Sequence, residues 1–139
     1  MSTYDNLSIQ MQTRDGLRAP VTFWIATGEK RSRNCNGCGT AGWKGGLVPD
    51  TMWALRISAA CDIHDWMYGE GTTDADKEFA DMVFLRNMIA IINDAAKSGP
   101  YKWLHWLLVP VRERRAFKYY QVVAHSFSGE AAFRDAELL

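Results

Sequence analysis

Cysteine is scarce in this sequence, with three residues in 139. That is too few for a disulfide scaffold. Long hydrophobic runs are missing as well. No segment reaches the roughly 18–20 consecutive apolar residues of a membrane span. The first ten residues, MSTYDNLSIQ, lack the charged-then-apolar order of a secretory signal. The expected state is soluble or peripherally membrane-associated, with the compartment left open. Neither sign of charge dominates, since 16 Lys and Arg face 16 Asp and Glu. This excludes nucleic-acid binding driven by bulk charge. No G-x-S-x-G elbow is present, which removes the usual serine route to ester cleavage. There is no internal repeat, linker or low-complexity tract.

What is present is globular: 47% of residues are hydrophobic, and the length suits one domain with a real core. Leu7, Ile9 and Met11 alternate with polar residues, Asp15-Gly16 marks a turn, and Val21, Phe23 and Ile25 alternate again. This pattern predicts a β-hairpin within residues 1–30, with Pro20 shortening the second strand or placing it at an edge. NCNGCGTAGWKGG follows, a glycine-rich loop whose backbone turns sharply and whose carbonyls lie bare. Pro49-Asp50 then opens a helix over about 51–69, with Trp53, Ile57, Ala60, Cys61, His64 and Tyr68 near one face. GEGTTD breaks it, and Thr73 caps a second helix that runs to about Lys97, with Asp76 at the third helical position. Ser98-Gly99-Pro100 stops that helix. A third helical stretch begins near Tyr101 and is interrupted at Pro110. The fold class is therefore mainly α in a single domain over 1–139. A hairpin in 1–30 comes first, then the loop and an antiparallel helix pair over 35–97, then C-terminal helices over 101–139.

The informative stretch is CDIHDWMYG at 61–69. His64 and Asp65 are adjacent, and neighbours on a helix point about 100° apart. Each must face a different partner. His64 lies about a turn before the break and Asp76 about a turn after it, so these two are expected to meet. A histidine oriented by a carboxylate is a general base with a fixed tautomer. Asp65 is expected to face the bare carbonyls of the preceding loop, a set of hard oxygen donors suited to calcium. Base and cation on neighbouring residues would serve ester hydrolysis by activated water.

Cys61-Asp62-Ile63-His64-Asp65-Trp66-Met67-Tyr68 resembles the C-x-x-H-D-x-x-Y helix of phospholipase A2. Cys38-Gly39-Thr40-Ala41-Gly42 resembles that family's C-G-x-G-G calcium loop, and Ala75-Asp76-Lys77-Glu78-Phe79 resembles the A-D-x-x-F of its viral and bacterial branches. The three elements stand in the family's order. The resemblance implies calcium-dependent hydrolysis of the sn-2 ester of glycerophospholipids at a phospholipid membrane surface. It implies His64 as the base, Asp76 holding its imidazole, and Tyr68 bonding that aspartate. It also implies Asp65 with the carbonyls of Gly37, Gly39 and Ala41 as calcium ligands, and a Cys38–Cys61 disulfide. Two departures stand in the loop: Ala41 and Lys44 occupy positions where the family has glycine.

Plainer readings exist for the same residues. Asp76 suits a helix N-terminus on its own account. Cys35-x-x-Cys38 with Cys61-x-x-His64 is zinc-ligand spacing, which would make the chain a zinc-stabilised binding module. A catalytically inactive relative of the phospholipases is the third alternative. Near the C-terminus, Tyr101–Leu108 is aromatic and apolar nearly all round, and Arg112, Arg114, Arg115 and Lys118 follow with Glu113 alone opposing. The plainer expectation is a buried helix followed by a solvated basic one. The functional one is docking on an anionic membrane surface.

Overall fold

The computed structural model describes residues 10–34 and 51–125. Its first element is a hairpin of β1 (Met11–Arg14) and β2 (Leu17–Pro20), paired antiparallel from Arg14↔Leu17 to Met11↔Pro20. Asp15 and Gly16, with φ of 52° and 81°, form the two-residue loop. Both central positions of such a loop need positive φ, which is why Asp-Gly is favoured there. The expected turn is thus present. The second strand, however, ends at Pro20. Val21–Ile25, read above as a strand, is instead a short helix, α1. Pro20 sits extended before it, and the Val21 amide closes the hairpin on the Gln10 carbonyl at 2.7 Å. Only Phe23 of the alternating set enters the core, whereas Ile25 is 72% exposed. Gly28–Asn34 forms α2. The expected hairpin residues Leu7 and Ile9, and the glycine-rich loop, lie outside the described residues.

The helix predicted from residue 51 starts seven residues later. Thr51–Met52 (β3) pairs with Leu55–Arg56 (β4), and Ser58–Glu70 is α3. Trp53 and Ala54 between the strands have φ of 48° and 66°, a left-handed pair that no right-handed helix contains. A contact from far along the chain fixes this turn. Arg112, 1% exposed, donates from Nη2 to the Trp53 carbonyl at 2.7 Å. Helical propensity yields to that tertiary contact.

Asp74–Ala95 is α4 and Lys102–His125 is α5. The cap expected at Thr73 is realised as a capping box: Thr73 Oγ1 accepts the Asp76 amide at 3.1 Å, and Asp76 accepts the Thr73 amide at 3.2 Å. α4 is central and packs against α3 on one side and α5 on the other. Its buried residues Ala80, Val83, Phe84, Met88 and Ile92 meet Ala60, Ile63 and Met67 of α3 and Ala116 and Val123 of α5 in one core. Asn87 fastens the hairpin to α4. Its Oδ1 accepts the Arg18 amide and its Nδ2 donates to the Arg18 carbonyl, both at 2.8 Å. Arg18 thereby pairs with a side chain as it would with a neighbouring strand.

α5 corrects two expectations. Pro110 lies within it and does not end it. Tyr101–Leu107 is not buried either: Tyr101, Trp103, Trp106 and Leu107 are each more than half exposed, and Leu104 is 42% exposed. The helix buries a narrow seam of Arg112, Ala116, Tyr119 and Val123, at three- and four-residue spacing, and turns the rest outward.

Candidate active site

His64 lies on the inner face of α3 and is 1% exposed. Its Nε2 is 2.7 Å from Oδ1 of Asp81 on α4. Tyr68, one turn along α3, donates its hydroxyl to the same oxygen at 2.5 Å. Lys77, one turn before Asp81, donates to the other carboxylate oxygen at 2.9 Å. The His64 ring stacks on Phe84, with centroids 4.6 Å apart and planes at 26°, and packs against the tilted Tyr68 ring at 4.1 Å. Ring position and ring plane are both fixed.

The carboxylate partner of His64 is therefore Asp81, and the expected pairing with Asp76 is corrected. Asp76 Oδ2 accepts the amides of Thr72 and Thr73 at 2.9 and 3.2 Å, so its carboxylate is committed to the start of α4. The reason is register. His64 lies six residues before the end of α3, so its level on an antiparallel α4 is six residues past Asp74, near 80. The sequence carries a signal for this. The pattern A-D-x-x-F occurs twice in tandem, as Ala75–Phe79 and as Ala80-Asp81-Met82-Val83-Phe84. The second copy supplies both the aspartate that bonds His64 and the phenylalanine that stacks on it.

Electrostatics assign the protons. Burial of Asp81 opposes its ionisation, but the hydrogen bonds from His64, Tyr68 and Lys77 outweigh burial and hold its carboxyl below the usual aspartate range. An ionised carboxylate only accepts, so Nε2 of His64 carries the hydrogen and Nδ1 carries the lone pair. Burial also lowers the proton affinity of His64, more than Asp81 restores it. The imidazole is neutral near pH 7, the form a base requires. The Lys77 ammonium has three acceptors for its three hydrogens: Asp81 Oδ2 and the carbonyls of Val123 and Ala124 at 3.0 and 3.4 Å. Lys77 was not singled out in the sequence, where its place inside an amphipathic helix marks it only as a charge.

Asp65 is half-buried, one position beyond His64. Its expected co-ligands, the carbonyls of Gly37, Gly39 and Ala41, lie outside the described residues. Among the described residues no three His, Cys, Asp or Glu side chains gather as a metal site. A cation at Asp65 would be held by its carboxylate, a hard oxygen donor of the kind calcium takes. Cys61 is disulfide-bonded, and Cys35 and Cys38, the other two cysteines, lie outside the described residues. A sulfur in a disulfide is no thiolate ligand, so Cys61 is otherwise engaged.

A cavity of about 290 Å³ is lined by Leu17, Phe23, Trp24, Arg31, Asp62 and Ile63. It opens on a different face of α3 from His64, since positions 62 and 63 are turned about 100° or more away. No protein-family model, curated protein or solved structure matches this chain.

Proposed function

We propose that this chain is a phospholipase A2-like ester hydrolase that uses calcium to cleave the sn-2 ester of glycerophospholipids. The observation that supports this most directly is the triple His64–Asp81–Tyr68. A neutral, buried imidazole is held at Nε2 by an ionised carboxylate, with Tyr68 on the same oxygen. In this reading Nδ1 of His64 takes a proton from water as the oxygen attacks the ester carbonyl. The imidazolium then formed is stabilised by Asp81. The same proton passes to the departing alkoxide as the tetrahedral intermediate collapses, which leaves a free fatty acid and a lysophospholipid. Tyr68 and Lys77 are positioning residues that act through Asp81. Asp65 and the loop carbonyls would hold calcium, whose charge offsets that growing on the carbonyl oxygen.

The test is fatty acid release from phospholipid vesicles by the purified protein, in calcium and in a calcium-selective chelator. Release that is lost with chelator and lost in His64→Gln is expected. Full-rate release from an Asp65→Ala protein in chelator would overturn the calcium part, and no release under any condition would overturn the whole.

A further inference from the structure

The outward face of α5 is built the wrong way round for a water-exposed helix. Trp103, Leu104, Trp106 and Leu107 project from it with relative exposures of 62%, 42%, 66% and 56%. Val111 and Phe117 continue the face at 37% and 53%. At 100° per residue these six side chains span the half of the helix opposite the buried seam. Tyr101 adds an exposed ring just before the helix. Single exposed apolar residues are ordinary, but a contiguous set marks an interaction surface.

Charge points to the occupant. Lys97 and Lys102 rim a shallow open groove with Trp103 and Trp106. Arg114, Arg115 and Lys118 are exposed on the outward side of the same helix, beyond the aromatic turns. Glu113 is the one acid in the α5 sequence. Indole and phenol rings beside lysine and arginine match the boundary between acyl chains and headgroups. A helix that lies in that boundary presents this mixture. No described helix is long and apolar enough to cross a membrane, so the fitting mode is attachment from one side.

We infer that the outward face of α5 docks the protein onto an anionic phospholipid bilayer, with Trp103, Trp106 and Leu107 entering the acyl boundary and Arg114, Arg115 and Lys118 meeting lipid phosphates. The inference names the partner surface of the proposed hydrolase and takes its biological purpose from that reading. Docking itself is measurable without turnover.

The experiment uses the full chain in chelator, which silences calcium-dependent hydrolysis. Vesicles of phosphatidylglycerol or of phosphatidylcholine are sedimented with it, and tryptophan emission is recorded. Binding to the anionic vesicles with a blue shift in emission is expected. An Arg114→Gln, Arg115→Gln, Lys118→Gln protein is expected to lose about fivefold in partitioning per residue, on the order of a hundredfold together. Trp103→Glu with Trp106→Glu is expected to abolish binding while circular dichroism stays unchanged. Two results would overturn the inference: wild-type protein that stays in the supernatant with anionic vesicles, or a tryptophan pair variant that binds as wild type. A dimer in sedimentation that the same pair variant dissociates, without vesicle binding by wild type, would assign the face to a second copy. Hydrolysis of a short-chain ester below its micellar concentration separates the two proposals. Soluble-ester turnover without vesicle binding defeats only the docking, and vesicle binding without any turnover defeats only the hydrolase.

Discussion

Replacing Asp81 by asparagine tests the centre of the site. The carboxylate is 1% exposed and accepts from three donors: His64 at 2.7 Å, Tyr68 at 2.5 Å and Lys77 at 2.9 Å. Asparagine keeps one acceptor oxygen. With that oxygen toward His64 and Tyr68, its amide faces the Lys77 ammonium, donor against donor. Lys77 then stays buried with two carbonyls and no counter-charge. Breaking a buried pair from one side costs about 3–5 kcal/mol, a large part of the roughly 5–15 kcal/mol that holds a domain together. Asp76→Asn is the contrast. An asparagine at the third helical position still accepts the Thr72 and Thr73 amides, and the charge lost at the helix N-terminus is worth about 0.3–1 kcal/mol. Urea unfolding of both variants should show this gap. Turnover on vesicles should separate them further, since Asp81→Asn removes the group that fixes the tautomer of His64 and stabilises its charged form. A fall of about 10²–10⁴-fold is expected, while Asp76→Asn stays near wild type. If Asp76→Asn were the inactive protein, or if both variants unfolded at the same urea concentration, the assignment of Asp81 would be wrong.

Two further outcomes follow from the same structure. Stability should fall as pH drops below about 6.5, the ordinary value for histidine. The unfolded chain takes a proton on His64 there and the folded chain, which holds it neutral by burial, does not. Asp81 adds a loss of the same sign below its ordinary value of 3.8, whereas Glu70, pushed up by burial, works the opposite way above 4.5. Urea midpoints at pH 8, 6 and 5 for wild type and His64→Gln isolate the histidine part, and parallel curves would refute it. Ala54→Gly relieves a left-handed residue at φ 66°. It should be neutral or stabilising by up to about 1 kcal/mol, against a loss of roughly that size for Ala60→Gly inside α3. Thermal midpoints read both.

The elements that the sequence made legible are those whose signals are local. Asp15-Gly16 forces its turn wherever it stands in a hairpin, and Thr73 with Asp76 closes a capping box from within four residues. Illegible positions are set by distant partners. Residues 51–56 became a hairpin because Arg112, reaching from α5, holds the Trp53 carbonyl. Val21–Ile25 alternates like a strand but has no neighbour to pair with after Pro20, and it coils. For His64 the type of partner was readable and its register was not, since two A-D-x-x-F patterns stand five residues apart and only the level of packing between α3 and α4 selects the second. The aromatic half of α5 misled for a different reason. Apolar residues on all sides of a helix usually mean burial, yet here the core takes only the seam.

The Lys77 clamp has a geometric consequence for how the molecule sits on a surface. Its ammonium grips the Val123 carbonyl, which puts the His64–Asp81 pair at the level of residue 123 along α5. Trp103 and Leu107 lie 16–20 residues earlier on that helix, about 24–30 Å away at 1.5 Å per residue. Were α5 to stand upright on its aromatic end, the imidazole would hang that far above the lipid and touch none of it. Lying flat, the same helix would bring its whole length within reach of the headgroups, with α4 and then α3, which carries His64, stacked behind it. Under the docking proposed above, Arg114, Arg115 and Lys118 would act as outriggers between the aromatic end and the level of residue 123, and the helix would be a ruler that sets the tilt of the protein on the membrane.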